Sequence, residues 1–485
     1  MPDRRESYTY RGPETYHSHV GQIMACLGYS GGHEPRTVGA QVVIEESGGN
    51  CRLCCRFLQA GAVAERQALL TARRERQEMK DYLLQWHRDI YHLPPSPWGS
   101  LIGVRPTKLV HHILDSGVSP QAAVGRLQET YGVAEKTASE LVKMALLQRP
   151  YVTNRQRRAA VYVSIPYCSS HCLYCSFPSR LIGGEEPSHL AGFLARLEAD
   201  GAAAAALCRE FALTVDAVYV GGGTPTCLPL PLLERLLRIL QPLVTAATEW
   251  TVEAGRPDTA TAEKLQLLKR YGVNRISVNP QTMQQPLLDL LGRRHRIEDI
   301  YTMMALCKKL AFPVINMDFI AGLPRQTPEN MQENMEIVCQ LGPENVTIHT
   351  LALKKGAPLF HHDLRRAIGT AEAVTAMVDY CREKLQRAGY VPYYLYRQKY
   401  MAAGLANIGY ALPGAIGRYN IEMMEERQTV IGIGPGSASK FISPTSNRME
   451  KLYMPKDITR YGQILAAQLE ERRRLCTVVY GGEDR

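Results

Sequence analysis

The chain has 485 residues and a mass of 54.2 kDa, and 45% of its residues are apolar. That is enough for two or three domains with real cores and excludes a disordered or fibrous protein. Lysine plus arginine is 57 against 47 for aspartate plus glutamate, a net charge of +10; such a surplus attracts nucleic acid, anionic membrane or a polyanionic small molecule, and alone selects none of them.

Thirteen cysteines behind a start, Met1-Pro-Asp-Arg-Arg-Glu-Ser7, that lacks the charged-then-apolar plan of a signal peptide predict a reducing, cytoplasmic setting with thiols free or metal-bound. No run of about 18 uncharged apolar residues predicts a membrane span. Residues 1–153 read as a mixed α/β and helical region: Val38–Ile44 has strand composition, and Leu109–Leu147 has helical spacing broken at Gly117 and Gly132. Cys51, Cys54 and Cys55 cluster but lack the second pair that a structural zinc requires, so they read as core or half-exposed residues. The pairs His111-His112 and His361-His362 read as packing or surface residues. Basic Asn154-Arg-Gln-Arg-Arg158 reads as a solvated linker, having no interleaved aromatics to suggest nucleic-acid binding.

From Ala159 the pattern is regular. Six β-rich runs recur, each followed by a helical stretch: Ala160–Ile165, Ala217–Val220, Trp250–Glu253, Arg275–Val278, Val314–Ile320 and Val346–Leu351. Leu190, Phe193, Leu194 and Leu197 have the spacing of an amphipathic helix with Ser188 as its N-cap, and Thr327-Pro328 starts another. Strands apolar on both faces, alternating with helices, predict an α/β fold with a parallel sheet or barrel, whose active site lies at the carboxyl ends of the strands.

The unusual motifs sit at those ends. Cys168-Ser-Ser-His-Cys172-Leu-Tyr-Cys175 puts three thiols on one loop after the first run, one short of a closed four-ligand site, which leaves a metal position open for chemistry. Gly221-Gly-Gly-Thr-Pro-Thr226 follows the second run and lets a ligand approach backbone, although it is neither a dinucleotide fingerprint nor a P-loop. Glu253-Ala-Gly-Arg-Pro-Asp258, Asn279-Pro-Gln281, Arg293 and Asp318 complete the rim with groups suited to a zwitterionic nucleoside: carboxylates for an amine, a guanidinium for a carboxylate, amides and acids for hydroxyls.

The Cys-x3-Cys-x2-Cys motif with an aromatic before its last cysteine resembles the signature of the radical S-adenosylmethionine enzymes. The Gly-Gly-Gly-Thr-Pro-Thr run is similar to that of the oxygen-independent coproporphyrinogen III oxidases. Glu253–Thr259, Tyr393-Tyr-Leu-Tyr-Arg-Gln-Lys399, Asn407-Ile-Gly-Tyr410 and Ile431–Ser439 resemble the HemZ-type coproporphyrinogen dehydrogenases among them. The resemblance covers roughly residues 100–445. It implies an incomplete six-stranded (β/α) barrel over 154–360, between the N-terminal region and a C-terminal region, 361–485, that covers the barrel mouth.

It also implies that Cys168, Cys172 and Cys175 hold a 4Fe-4S cluster with an open iron for S-adenosylmethionine. Gly222, Gly223 and Thr224 would then meet the cofactor's methionine end, Tyr162 and Tyr174 would lie against it, and Glu253, Gln281, Arg293 and Asp318 would be its remaining ligands. The implied activity is oxidative decarboxylation of two propionates of coproporphyrinogen III to vinyl groups, giving protoporphyrinogen IX, with a flavodoxin or ferredoxin as electron donor and no nucleic-acid partner. Two departures stand out: Phe177 occupies the place of a further cysteine in characterised oxidases, and Tyr419 stands where haem-chaperone relatives carry a histidine. A haem chaperone or carrier, and a radical methyltransferase that opens haem, are the alternatives.

Overall fold

The computed structural model describes residues 7–31, 38–47, 50–59, 62–93, 95–103, 105–152, 157–398, 404–443 and 448–481. Asn154–Gln156 of the expected linker and Lys399 of the tyrosine-rich motif lie outside them. Two compact units emerge, one up to Ala145 and one from Leu146 onward apart from a short stretch at Gln398.

The first unit is a five-stranded sheet of β1 (Ser7–Arg11), β2 (Ser30–Gly31), β3 (Val38–Ser47), β4 (Asn50–Gln59) and β5 (Ala62–Leu70), in the order β2-β1-β3-β4-β5. Helices α1 (Glu14–Cys26) and α2 (Glu75–Ile90) bury Val20, Ile23, Met24, Met79, Leu83 and Trp86 in one core with Val42, Ile44, Leu53, Cys55 and Phe57. Strand alternation sends Cys51 and Cys55 into that core and leaves Cys54 on the other face, half-buried. Three helices follow, α3 (Pro106–Asp115), α4 (Pro120–Tyr131) and α5 (Glu135–Val152). Gly117 and Gly132 break them as expected, both at positive φ, with Gly132 closing α4. His111 is buried in α3, whereas His112, His361 and His362 are exposed.

In the second unit all six expected strands form. They are β6 (Arg158–Ile165), β9 (Thr214–Gly222), β10 (Glu249–Glu253), β11 (Arg275–Gln281), β12 (Val314–Ala321) and β13 (Asn345–Thr350), and each pairs in parallel with the next. A two-residue ladder, β7 (Tyr167–Cys168) with β8 (Arg180–Leu181), frames the cysteine loop. The crossovers are α6 (Pro187–Glu210), α7 (Leu230–Leu240), α8 (Ala262–Arg270), α9 (Gln285–Leu290) with α10 (Ile297–Lys309), and α11 (Pro328–Leu341). Thr327 caps α11 as expected, its hydroxyl accepting from the Asn330 amide. Ser188 does not cap α6. That helix begins at Pro187 with Glu186 before it, because proline's fixed φ suits the first helical position.

The strands are apolar on one face only. Trp250, Val252, Ile276, Val278, Ile315, Met317, Val346 and Ile348 are buried on that face. The alternating set, Thr251, Glu253, Ser277, Asn316, Asp318, Thr347 and His349, lines a cavity of about 300 Å³. The residues after α12 (Ala371–Arg387) extend both edges of the sheet. β14 (Val391–Tyr396) and β15 (Asn407–Ala411) join beyond β13, and β16 (Thr429–Ile433), β17 (Ala438–Ile442) and β18 (Met449–Tyr453) join beyond β6. The result is an open, mixed sheet of eleven strands.

Helix α13 (Arg418–Glu425) and helix α14 (Ile458–Tyr480) complete the unit. α14 is fastened by a buried charge pair: Arg472 Nη1 lies 2.7 Å from Asp200 Oδ1 of α6, at 1% and 0% side-chain exposure. The angle is ionic rather than that of a hydrogen bond. Asp200 Oδ2 accepts from Tyr461 Oη at 2.6 Å and from the Gly434 amide at 2.9 Å, and Arg472 Nη2 donates to Gly432 O at 2.7 Å. Removing one partner strands the other charge in an apolar interior. Asp200→Asn should therefore cost about 3–5 kcal/mol in denaturant unfolding, and Asp200→Leu with Arg472→Met should recover much of it. An Asp200→Asn protein of unchanged stability would contradict this reading of the pair.

Candidate active site

The cysteine loop leaves β6 and is pinned to the glycine run after β9. Gly223 N donates to Ile165 O and Thr224 N to Tyr167 O, both at 2.7 Å. A Cβ on Gly223 would stand 2.3 Å from Tyr167 O, and one on Gly221 would stand 2.8 Å from the Glu253 carboxylate. The glycines thus make room for the cysteine loop and for Glu253. The Phe177 ring packs at Gly222, whose Cβ would stand 2.9 Å from Phe177 Cζ.

Around the thiols the structure gathers two guanidinium groups. Arg256 Nη2 donates to Cys172 Sγ at 2.8 Å and to Ser170 O at 3.0 Å, and its Nη1 donates to Ser170 Oγ at 2.8 Å. Arg293 Nη1 donates to Tyr174 Oη at 3.0 Å and lies 3.7 Å from Cys172 Sγ, and its Nη2 donates to Gly255 O and Asn279 O. Thr224 Oγ1 stands 3.6 Å from Cys168 Sγ, and the Phe177 amide donates to Cys175 Sγ at 3.4 Å. Among the described residues no three Cys, His, Asp or Glu side chains close on a point as ligands of a single ion. A cubane is held differently, by one thiolate on each of several irons, so its ligands are spaced around it.

A second group lines the cavity beneath. Tyr219 Oη donates to Glu253 Oε1 at 2.6 Å. The Tyr219 ring stacks on Tyr419 with centroids 4.6 Å apart, and Tyr162 stacks with both at 6.3 and 6.2 Å. Tyr419 is held in place from the floor, where Glu249 accepts the first amides of α13, from Arg418 at 2.7 Å and Tyr419 at 3.1 Å. Burial, with the Asp318 charge adding to it, raises the Glu253 carboxyl to about 8 against the single donor Tyr219. Asp318 is as deeply buried, but the neighbouring His349, 3.8 Å away, and the Asn316 amide, which donates to it at 2.8 Å, outweigh that burial and lower its carboxyl.

The structure therefore joins Cys172, Tyr174 and Arg293 in one network and Tyr162 with Glu253 through Tyr219 in another, with Asp318 across the same cavity. Gln281 stands apart from both networks. It is buried at the end of β11 with φ +70°, its Oε1 without a partner. Sequence reasoning gave no role to Arg256, Tyr219, His295 or His349. The place of Arg256 three residues after Glu253, on the same strand end, was the available signal. His295 is buried with neither ring nitrogen hydrogen-bonded, and burial beside Arg293 and Arg256 holds it down to about 3, a neutral imidazole.

Residues 162–338 match the Radical SAM superfamily model. A Bacillus subtilis protein, the oxygen-independent coproporphyrinogen-III oxidase-like protein HemZ, is 36% identical over 405 residues, 82% of this chain and 80% of that protein. The heme chaperone HemW of the same organism is 32% identical over 203 residues, 40% of this chain and 51% of its own length. In fold the chain is similar to coproporphyrinogen III oxidase (HemN) from Escherichia coli, a radical SAM enzyme, with a TM-score of 0.50 and 20% identity over 69% of this chain and 79% of that one.

An open parallel sheet carrying a three-cysteine loop at its carboxyl edge defines a radical S-adenosylmethionine protein, a class whose cofactors are a 4Fe-4S cluster and S-adenosylmethionine. Within that class the chain belongs to the oxygen-independent coproporphyrinogen-III oxidase-like family that includes HemZ. The residues fit both cofactors. Guanidinium donors face a cysteine sulfur as a thiolate ligand requires, and Arg293 Nε, on a side chain that reaches Cys172, is buried without a partner. No described helix is long and apolar enough to cross a membrane.

The Glu253 shift has a sign that can be tested. A carboxyl at about 8 in the folded chain and about 4.3 unfolded binds more protons when folded between those values, so it lowers stability as pH rises through that window. Cofactor-free Glu253→Gln should lose less stability than the wild type between pH 5 and pH 8, by something on the order of a few kcal/mol. Parallel pH dependences in urea unfolding would mean that Glu253 is ionised throughout.

Proposed function

We propose that this chain is a coproporphyrinogen dehydrogenase that converts two propionates of coproporphyrinogen III to vinyl groups, giving protoporphyrinogen IX, in a reducing cytoplasm. The observation that supports the reading is that three thiols share one loop at the carboxyl end of β6, in a sheet whose inner face lines a cavity of buried carboxyls and tyrosines. In this reading Cys168, Cys172 and Cys175 hold the cluster. Gly222, Gly223, Thr224, Tyr162, Tyr174, Glu253, Gln281, Arg293 and Asp318 hold S-adenosylmethionine. When bound, the two cofactors supply a carbon radical able to take a hydrogen atom from a propionate β-carbon.

The chain's own share is to orient and to exclude water. Arg256 and Arg293 fix the loop at Cys172, and the tyrosine stack walls the cavity. The electron enters from a flavodoxin- or ferredoxin-type donor. The thirteen cysteines, all free thiols, suit a reducing compartment. Likeness to the HemW chaperones favours haem carriage as a second reading. Against it, Tyr419 is 6% exposed and packed against the rings of Tyr162 and Tyr219, a poor position for an iron ligand.

Two outcomes are expected. Reconstituted anaerobically, Cys168→Ala, Cys172→Ala and Cys175→Ala should each lose the brown cluster absorbance or the ability to cleave S-adenosylmethionine, while a Cys54→Ala protein keeps both. Full cofactor cleavage by Cys172→Ala would refute the ligand assignment. Wild-type protein given coproporphyrinogen III, cofactor and reductant should yield a product lighter by two molecules of carbon dioxide and four hydrogens. Unchanged substrate mass, together with stoichiometric haem binding that is lost in Tyr419→Ala, would establish the carrier instead.

A further inference from the structure

We propose that the N-terminal unit holds a nucleotide in a pocket of its own, with phosphates against Arg73, Arg74, Arg76 and Lys80 and the base against Tyr16 or Tyr131. The pocket has a volume of about 640 Å³, within the usual range for small-molecule sites. Its walls are α1, the turn and first two turns of α2, and the last turn of α4, all within one compact unit.

Four basic side chains line this space against one carboxylate, Glu75. Among the described residues none of the four forms an ion pair with a carboxylate, although Arg56 and Arg88 of the same unit pair with Glu65 and Asp89. The carboxylates nearest in sequence are already engaged: Glu78 accepts the Thr71 amide at 2.7 Å and Asp81 accepts from Gln77 at 2.8 Å. Lys80 is half-buried, with its ammonium 5.6 Å from the centre of the Tyr131 ring, and burial lowers its pKa. Arg73 is held at φ +71°, a conformation that costs a non-glycine residue energy. Arg73, Arg74 and Arg76 are exposed, and Arg76 Nη2 donates to Thr15 O at 3.3 Å; like charges gathered around one cavity repel one another, and an anion bound there relieves that repulsion.

The ligand's class follows from the charge and from the rings. A phosphate carries about −1.5 to −2 charge near pH 7 with three acceptor oxygens that match arginine forks, so two phosphates balance the wall where a single carboxylate would not. Tyr16 and Tyr131 give a flat apolar surface on which a base can stack. His19 Nε2 lies 2.7 Å from Arg76 O, which makes it the donor there, and burial keeps the ring neutral. It adds shape to the pocket without adding charge.

The test is calorimetric titration of the full-length protein, without magnesium, with ADP, ATP, pyrophosphate, inorganic phosphate and a single-stranded decanucleotide. Saturable ADP or ATP binding is expected, tighter than pyrophosphate and weaker at high salt. It should fall at least tenfold in Arg74→Gln/Arg76→Gln and in Lys80→Met. These substitutions are outside the core, so melting temperature should be unchanged, and Tyr131→Ala should narrow the gap between ADP and pyrophosphate. Absence of saturable nucleotide binding would overturn the proposal. So would equal affinity in the variants, or a decanucleotide bound tenfold more tightly than ATP, which would make this a nucleic-acid surface.

Discussion

The second unit depends on one constraint: a parallel sheet that keeps a polar face inside must satisfy every group on it. The floor does so completely. Arg275 reaches Asn345 Oδ1 at 2.9 Å and Ala415 O at 3.2 Å and faces Glu249 at 3.7 Å. One layer up, Asn316 donates to Ser277 Oγ at 2.7 Å and to Asp318 Oδ1 at 2.8 Å, and accepts from Thr347 at 3.3 Å. The top layer, beside the cysteine loop, does not close. Gln281 Oε1, Arg293 Nε and both nitrogens of His295 are buried with no partner. Each unmade bond of this kind costs on the order of 1–3 kcal/mol, a deficit that a polar ligand can make good.

That arrangement would not hold without the residues beyond the sixth strand. β16 pairs in parallel with β6, the strand that launches the cysteine loop, and Ser164 Oγ donates to Pro435 O at 2.7 Å across the strand ends. The Asp200–Arg472 pair then ties the loop after β16 to two helices at once. At the opposite edge β15 pairs antiparallel with β13 and brings Tyr394 and Tyr396 of β14 to the cavity. The C-terminal region is thus part of the wall that shapes the site, with Glu249 setting Tyr419 through the amides of α13.

What the sequence made legible was local. Six hydrophobic runs, the Thr327 cap, the glycine breaks at 117 and 132 and the three-cysteine spacing each depend on residues a few positions apart. What it hid was relational. Tyr162, Tyr219 and Tyr419 come from three distant segments, and nothing in their spacing foretells a stack. The polar inner face was misread as apolar because short runs such as Ile276-Ser-Val278 and Ile315-Asn-Met317 place one polar residue between two apolar ones. Period-two alternation that brief is swamped by the buried outer face. Arg256 was quoted within a motif without a role, because a guanidinium reaching a sulfur 84 residues back along the chain leaves no trace in local pattern.

Glu253 and Asp318 show how the same side-chain chemistry is divided by its neighbours. Both are buried in one cavity and each opposes the other's ionisation, so the pair does not readily carry two charges. Asp318, with the Asn316 amide and His349 beside it, keeps its charge; Glu253, with the one donor Tyr219, gives its charge up near neutrality. A cationic group brought to Glu253 would reverse that by supplying the missing counter-charge, with release of a proton. Two carboxyls tuned apart in this way accept one positive charge and one or more hydroxyl donors, but not two cations.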